Sequence, residues 1–549
     1  MSASDSISPI SKPWVFDLVT VALHLLLVAL IYGQVHDFDY IHFDDTLYVL
    51  WNPQVSQGLG GEGIRWAFST TFLGNWHPLT WLSHMLDVSL FGTDPGRAHL
   101  HNAALHLVNS LLVYLLLLRL GAVRSWALPL SLLFLVHPQH VESVAWIAER
   151  KDLLCALFYL LALLAWDEFR RTGFVRHYLL ALLAFLAALL SKAMAVTLPV
   201  VLLILACWHY RLPLPDWRRV LRTPIQAIPG CCWQLLPFVL LSAIFCVIAV
   251  LAQAGAEGVS DMQAVPLATR LANAGWAYTE YLLQFLAPRN LDIFYPYRAH
   301  TGLADLLPAV LVMLVTLGAV YWGRARRPLL SIGLAWYLVT LLPVIGLVQI
   351  GEQSHADRYM YIPSIGLLLA ILSLRQGLPK QRTRPLAALA GLLIGVFSVL
   401  CFWQVSYWQD RQTLYLRSLA VSGPHWRIHA HVAEDYLARN EPENALAHAE
   451  ASANLAAAEP LPHFYMGNAR SRLGQFDLAV LHYVRANELG MHSARLYNNL
   501  AVALMETGSE RDARRAFLRA LQVEPGYPPV AASLAHYGKD AGWLEDPPD

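Results

Sequence analysis

Residues 14–33, WVFDLVTVALHLLLVALIYG, form an apolar run broken only by Asp17 and His24. A helix of that length rises about 30 Å, the thickness of a bilayer's hydrocarbon core. The run is longer than the apolar heart of a secretory signal, and no small-residue cleavage site follows it. It therefore predicts a retained first membrane span. Further runs suited to spanning lie near residues 103–120, 124–136, 153–167, 177–190, 194–208, 235–252, 303–322, 329–348, 362–375 and 386–404. With 56% of residues hydrophobic and only 14% charged, the composition excludes an ordinary soluble domain. The predicted fold is all-α: a polytopic membrane protein of eleven transmembrane helices followed by a helical-repeat array.

Charge bounds the partners and the topology. A formal net charge of zero leaves no basic field to recruit nucleic acid. Six cysteines occur without a CxxC pair, which argues against a disulfide framework or a metal cluster. Threading the spans alternately puts the basic groups near Arg119, Arg170, Arg211, Arg324 and Arg375 on one side, predicted to be cytoplasmic. The first large loop, with seven acidic and two basic residues over 34–100, then faces outward. Residues 270–286 are moderately apolar but carry Arg270, Asn273, Thr279, Glu280 and Gln284. Counting them as a span would misplace the later basic loops, so a helix lying at the outer surface is expected there. The predicted organisation is a cytoplasmic start at 1–14, a membrane domain at 15–404 with outer loops at 34–102 and 253–302, and a linker at 405–425.

From 426 to 549 the chain becomes alanine-rich and charged, and a 34-residue period appears: Asn440, Gly474 and Gly508 are in register, as are Ala445, Ala479 and Ala513. Tyr497, Leu500, Ala501, Phe517, Ala520 and Pro525 complete the third unit, and Gly467, Tyr483 and Ala486 mark the second. This predicts tetratricopeptide repeats, whose stacked helix pairs leave a concave face for an extended partner such as a protein or peptide. An odd number of spans places them outside. The chain has no Asn-x-Ser/Thr sequon, which tilts the expected location to a bacterial inner membrane with periplasmic repeats.

Polar residues beside the spans are the candidates for chemistry. Asp44 and Asp45 follow the first span among aromatic neighbours, where desolvation would raise a carboxylate pKa and suit it to deprotonate a hydroxyl. His77, His99, His101, His106, His137, His140 and Glu142 add imidazoles and an acid to the same outer side. Their spacing matches no compact zinc motif, so no metal ligands are assigned, although a divalent metal stays open as a cofactor. Glu149-Arg150-Lys151-Asp152 places cations at an outer membrane boundary, against the charge rule, which asks for an anionic partner. Lys192 and Arg358 repeat the pattern. Arg150, Lys151, Lys192 and Arg358 together could hold a lipid phosphate, Arg through its forked donors and Lys as a compact charge.

These residues resemble a known family. Phe43-Asp44-Asp45, Asn52-Pro53, His77-Pro78-Leu79-Thr80, His137-Pro138 with Glu142-Ser143-Val144, Arg150, Ser191-Lys192 and Arg358-Tyr359-Met360-Tyr361-Ile362-Pro363-Ser364-Ile365-Gly366 occur in the order seen in the transmembrane and tetratricopeptide-repeat protein O-mannosyltransferases and their bacterial relatives. The resemblance implies a C-type glycosyltransferase fold. It implies transfer of a sugar, with inversion, from a polyprenyl-phosphate donor to an acceptor hydroxyl on a protein or an envelope glycan. Asp44 or Asp45 would be the catalytic base, and Arg150, Lys192 and Arg358 ligands of the lipid phosphate. His77, His137, Glu142 and Tyr361 would then line the substrate. Only about three repeats are visible here, where the eukaryotic relatives carry many more. A transporter or lipid flippase, and a non-catalytic scaffold presenting the repeats to envelope proteins, are the competing readings.

Overall fold

The structure, a computed structural model, describes residues 13–41, 44–209, 230–255, 266–296, 303–347, 353–375, 383–540 and 542–545. Residues 1–12 of the expected cytoplasmic start, Phe43, the basic group Arg211, Arg218, Arg219 and Arg222, Lys380, Arg382 and parts of the 253–302 loop lie outside the described residues. Among the described residues the secondary structure is helical, with one isolated bridge between Pro296 and Gln353 and no strand. The chain divides into two compact units, Met1–Asp410 and Arg411–Asp549.

In the first unit, each apolar run read from the sequence falls on a helix. Among the described residues five helices are long and apolar enough to cross a bilayer: Pro13–Asp37, Pro95–Arg119, Trp233–Ala254, Leu306–Arg326 and Pro385–Ser406. The helices Arg124–Leu135, Val175–Ser191, Ala193–Cys207, Pro328–Val344 and Pro363–Arg375 are apolar but shorter. Leu18, Leu25, Leu26 and Leu30 of the first helix are exposed, as a lipid-facing surface requires. Helix starts follow local chemistry. Proline occupies the first turn at Pro53 and Pro95, where its missing N–H leaves nothing unsatisfied. The preceding Asn52 and Asp94 side chains accept the N–H groups of Gln54 and Arg97.

The segment Leu267–Leu286, expected to lie at the outer surface, is a helix and is not one of those long and apolar enough to span. It packs along the helix Leu303–Arg326, with Gly275 facing Ala309, and its polar side chains turn inward. Asn273 donates to the Ser354 carbonyl at 2.9 Å, and the Tyr278 hydroxyl donates to the Leu338 carbonyl at 2.7 Å. The Tyr281 hydroxyl accepts from the Ala356 N–H at 3.0 Å and meets the Ala356 carbonyl at 3.1 Å. Asn273 and Tyr281 thus satisfy backbone groups at Ser354 and Ala356, in a segment that belongs to no strand. That backbone leads directly into Arg358.

The helices Pro328–Leu341 and Pro363–Leu372, which flank Arg358 in the chain, meet backbone to backbone at Gly333 and Gly366. A methyl group at Gly366 would sit 2.5 Å from the Gly333 carbonyl oxygen and 2.9 Å from the Tyr337 nitrogen. Only glycine permits that approach, as in other close helix pairs between spans.

The second unit is a series of helix hairpins: Trp426–Ala438 with Pro442–Leu455, Pro460–Arg472 with Phe476–Glu488, and Ala494–Glu506 with Glu510–Val523, followed by Pro528–His536. The in-register positions explain themselves. Asn440, Gly474 and Gly508 all have positive φ, at 60°, 71° and 79°, and close the turn inside each hairpin. Ala445, Ala479 and Ala513 are fully buried where the paired helices press together. Gly467 lies under the Tyr483 ring, which an added methyl would meet at 2.5 Å.

Replacing Gly366 with alanine is expected to lower the thermal midpoint in detergent, by the equivalent of about 1–3 kcal/mol for overpacking between two backbones. An unchanged midpoint would show that the two helices do not touch there.

Candidate active site

The candidate site is built from helix ends and short turns of the first unit. Asp44 precedes one turn of π-helix, Thr46–Leu50, a distortion common at functional sites. Glu142 lies in the five-residue helix Val141–Ala145, and Glu149 ends the 3-10 turn Ile147–Glu149. Lys151 and Asp152 occupy the first turn of the helix Arg150–Thr172, where a carboxylate suits the helix dipole. Lys192 is extended, at φ −158° and ψ 133°, between the helix Val175–Ser191 and the 3-10 turn Ala193–Thr197. Arg358 sits in the 3-10 turn Asp357–Met360.

These segments converge on one buried carboxylate. Glu149 pairs with Lys151 at 3.0 Å, Lys192 at 3.3 Å and Arg358 at 3.4 Å. Lys192 also binds Asp152 at 2.6 Å. The Arg358 guanidinium pairs with Glu142, whose other oxygen accepts the Arg358 backbone N–H at 2.9 Å. Burial alone would raise the Glu149 pKa, but Lys151, Lys192 and Arg358 together hold it well below the ordinary carboxylate range. Aromatic faces wall the cations. Lys151 lies 5.1 Å from the Tyr48 ring centre, Lys192 5.5 Å from Tyr359, and Arg358 5.0 Å from Tyr359 and 5.5 Å from Trp146.

The two aspartates next to this centre have different environments. Asp45 is fully buried, and its oxygens accept the Ile41 N–H at 3.0 Å and the Ala148 N–H at 2.8 Å. It fastens the loop after the first helix to the turn that carries Glu149. Burial pushes its pKa up to about 7, against those two hydrogen bonds. Asp44 is half-buried, and among the described residues nothing donates a hydrogen bond to its carboxylate. Burial raises its pKa too, opposed first by Lys151 and supplemented by Glu149. Asp44 is therefore the free carboxylate facing the cation cluster, and Asp45 a clamp.

His77 lies beside the cluster, against the Trp81 ring at 4.7 Å and the Tyr48 ring at 5.8 Å. Its Nε2 is buried without a partner, and burial, reinforced by Lys151, holds its pKa well below 6.5, so the ring is neutral. A neutral imidazole with an unpaired nitrogen suits a polar substrate group.

Other expected residues lie outside this group. Arg150 points away from Lys151: it is wholly buried, donates to Asn102 at 2.8 Å and to the Ala98 carbonyl at 2.9 Å, and pairs with Asp87. With its donors taken by protein acceptors, it ties three helices together and has none left for a phosphate. The His137 ring stacks on Phe285 at 4.7 Å and meets the Phe285 carbonyl at 3.0 Å. The Tyr361 hydroxyl lies between His106, at 2.6 Å, and Asn109, at 3.3 Å. Both pin helices rather than open onto the cluster. Among the described residues no group of three or more His, Cys, Asp or Glu side chains is arranged to hold a metal ion. Glu149 and Asp152 were legible in the charged motif as possible ion-pair partners of the cations, whereas Tyr48, Trp146 and Tyr359 carried no signal beyond being aromatic.

The geometry defines a helical membrane protein with a buried, aromatic-walled ionic centre and a free carboxylate beside it. No family model matches the chain. It is similar to the protein O-mannosyl-transferase Tmtc1 of Drosophila melanogaster, 38% identical over 124 residues, which cover 23% of this chain and 14% of that protein. The protein O-mannosyl-transferase F38B6.6 of Caenorhabditis elegans is 24% identical over 420 residues, 70% of this chain and 56% of its own length. The protein O-mannosyl-transferase TMTC4 of Mus musculus is 23% identical over 476 residues, 74% of this chain and 62% of its own. The chain is thus similar to protein O-mannosyl-transferases, and each of these matches spans less than two thirds of the relative's length.

Asp45→Ala leaves two buried backbone N–H groups without acceptors and is expected to lower stability by about 1–3 kcal/mol for each. Asp44→Asn is expected to leave the thermal midpoint unchanged. An unfolded Asp45 ionises near 3.8, whereas the folded one holds its proton up to about 7. The native state therefore loses stability as pH rises between those values, and Asp45→Asn is expected to flatten that part of the curve. Equal melting behaviour of the Asp44→Asn and Asp45→Ala variants would contradict the division of roles.

Proposed function

We propose that this chain is a membrane glycosyltransferase that moves a sugar from a polyprenyl-phosphate donor to an acceptor hydroxyl, with Asp44 as general base. The observation that carries the reading is the meeting of Lys151, Lys192 and Arg358 on Glu149, with the unpaired Asp44 carboxylate next to them. Transfer from a sugar phosphate needs donors for the departing phosphate and a base for the attacking hydroxyl. Glu149, Glu142 and Asp152 hold the three cations in place, so little reorganisation is needed when phosphate charge develops between them. One base on the acceptor side and a leaving group held opposite describe a single displacement, which inverts the anomeric centre. His77 offers its free nitrogen to a sugar hydroxyl.

The remaining features fit the same reading. The eleven apolar runs, threaded by the basic loops, would put Asp44 and the cations on the non-cytoplasmic face. The positive-φ turns, buried alanines and Gly467–Tyr483 contact of the second unit support tetratricopeptide repeats that hold a protein or peptide acceptor. A bacterial inner membrane, with repeats in the periplasm, suits the missing sequons. The names of the relatives make mannose the first sugar to test.

Purified protein is expected to transfer label from radiolabelled polyprenyl-phosphate mannose, or from another sugar on the same carrier, to an acceptor. Asp44→Asn should abolish transfer, and Arg358→Lys should reduce it about 100-fold, the scale of losing one donor to a developing anion. The base works only when ionised, so the raised Asp44 pKa places the acid limb of the kcat/KM profile above the ordinary carboxylate range, with rate rising through it. Undiminished transfer by Asp44→Asn would remove the proposed base.

A further inference from the structure

The repeat period of the second unit carries a second pattern, made of histidines. His429, on Trp426–Ala438, faces His448, on Pro442–Leu455, with their Nδ1 atoms 3.0 Å apart. In the next hairpin His463, on Pro460–Arg472, faces His482, on Phe476–Glu488, with the same atoms 3.5 Å apart. His429 and His463 are 34 residues apart, as are His448 and His482, so one structural position is occupied twice by a histidine pair. The third hairpin has Tyr497 and Ala516 in those places. All four rings are half-buried, reachable by a small ion yet held by their helices.

We propose that each pair is a two-histidine binding site for a divalent transition-metal ion such as zinc, so that two ions bind on consecutive hairpins. Two imidazoles on one metal, at about 2.0–2.1 Å each, put their ligating nitrogens about 3 Å apart at a right angle and about 3.4 Å apart at the tetrahedral angle. The observed separations lie at those values. Ring centres 5.1 Å and 5.7 Å apart are also close to the roughly 5 Å such a pair of ligands requires. Burial lowers the pKa of all four histidines, and for His429 and His482 the facing ring lowers it further. They are therefore neutral near pH 7, the state a metal needs. Among the described residues no third His, Cys, Asp or Glu completes either set, which leaves the other positions to water. Each ion would tie the two helices of one hairpin together at the face that repeats along the array.

The test uses the full-length protein in detergent, without a polyhistidine tag, stripped with chelator and then dialysed against Zn²⁺. Because the chain has 22 histidines, the reading is a difference in zinc content measured by plasma mass spectrometry. His448→Gln and His482→Gln are each expected to lose one equivalent relative to the unaltered chain, and the double variant two. Equal zinc content in the double variant and the unaltered chain overturns the proposal. A measurement on the unaltered chain covers the case in which the variants misfold: diethylpyrocarbonate labelling of His429, His448, His463 and His482, mapped by mass spectrometry. Zn²⁺ is expected to abolish labelling at all four. Labelling at the same level with and without Zn²⁺ means that the pairs only hydrogen-bond to each other, and overturns the proposal.

Discussion

A single carboxylate surrounded by three cations sets the terms for the rest of the first unit. Glu149 is 2% exposed, and the side chains it gathers, Lys151, Lys192 and Arg358, are 10–15% exposed. Burying one unpaired charge costs several kcal/mol, so none of these side chains could stay there without the others. Glu142 and Asp152 balance the set, making three acids against three bases, and Tyr48, Trp146 and Tyr359 cover it with aromatic faces. The result is an ordered, desolvated centre rather than a scatter of surface ion pairs.

Holding that centre explains much of the surrounding structure. Its charged groups come from turns and helix ends, and irregular backbone at such depth needs partners for every polar group. Asp45 supplies them to the turns at Ile41 and Ala148, and Tyr281 and Asn273 to the extended backbone before Arg358. Tyr295 donates to Asp357 at 2.9 Å on the other side of the same turn. Arg150 braces the helix that carries Lys151 by binding Asn102, Ala98 and Asp87 on its neighbours. A ring of residues with no chemistry of their own thus keeps the reactive ones in place.

The helices and the 34-residue register could be read from the sequence because hydropathy and period are properties of a chain taken alone. Asn440, Gly474 and Gly508 were visible as a repeat before their positive φ gave the reason for it. The site was half legible. Lys151, Lys192, Arg358 and Glu142 converge, whereas Arg150 does not, because consecutive residues on a helix point about 100° apart and the sequence does not say which direction faces the cavity. At Leu267–Leu286 the sequence showed polar residues within an apolar run but not their partners: Asn273 and Tyr281 bind backbone at Ser354 and Ala356, and Tyr278 the Leu338 carbonyl. The difference between Asp44 and Asp45 rests on two backbone N–H groups, one of them more than a hundred residues away, which nothing in the local motif discloses.

The most direct test is an experimentally determined structure of the full-length protein bound to a polyprenyl phosphate. The phosphate is expected among Lys151, Lys192 and Arg358, with its oxygens about 3 Å from their nitrogens and Asp44 facing the position of the attached sugar. A phosphate bound elsewhere, with the three cations still closed on Glu149, would contradict the assignment of this centre as the place where the donor reacts.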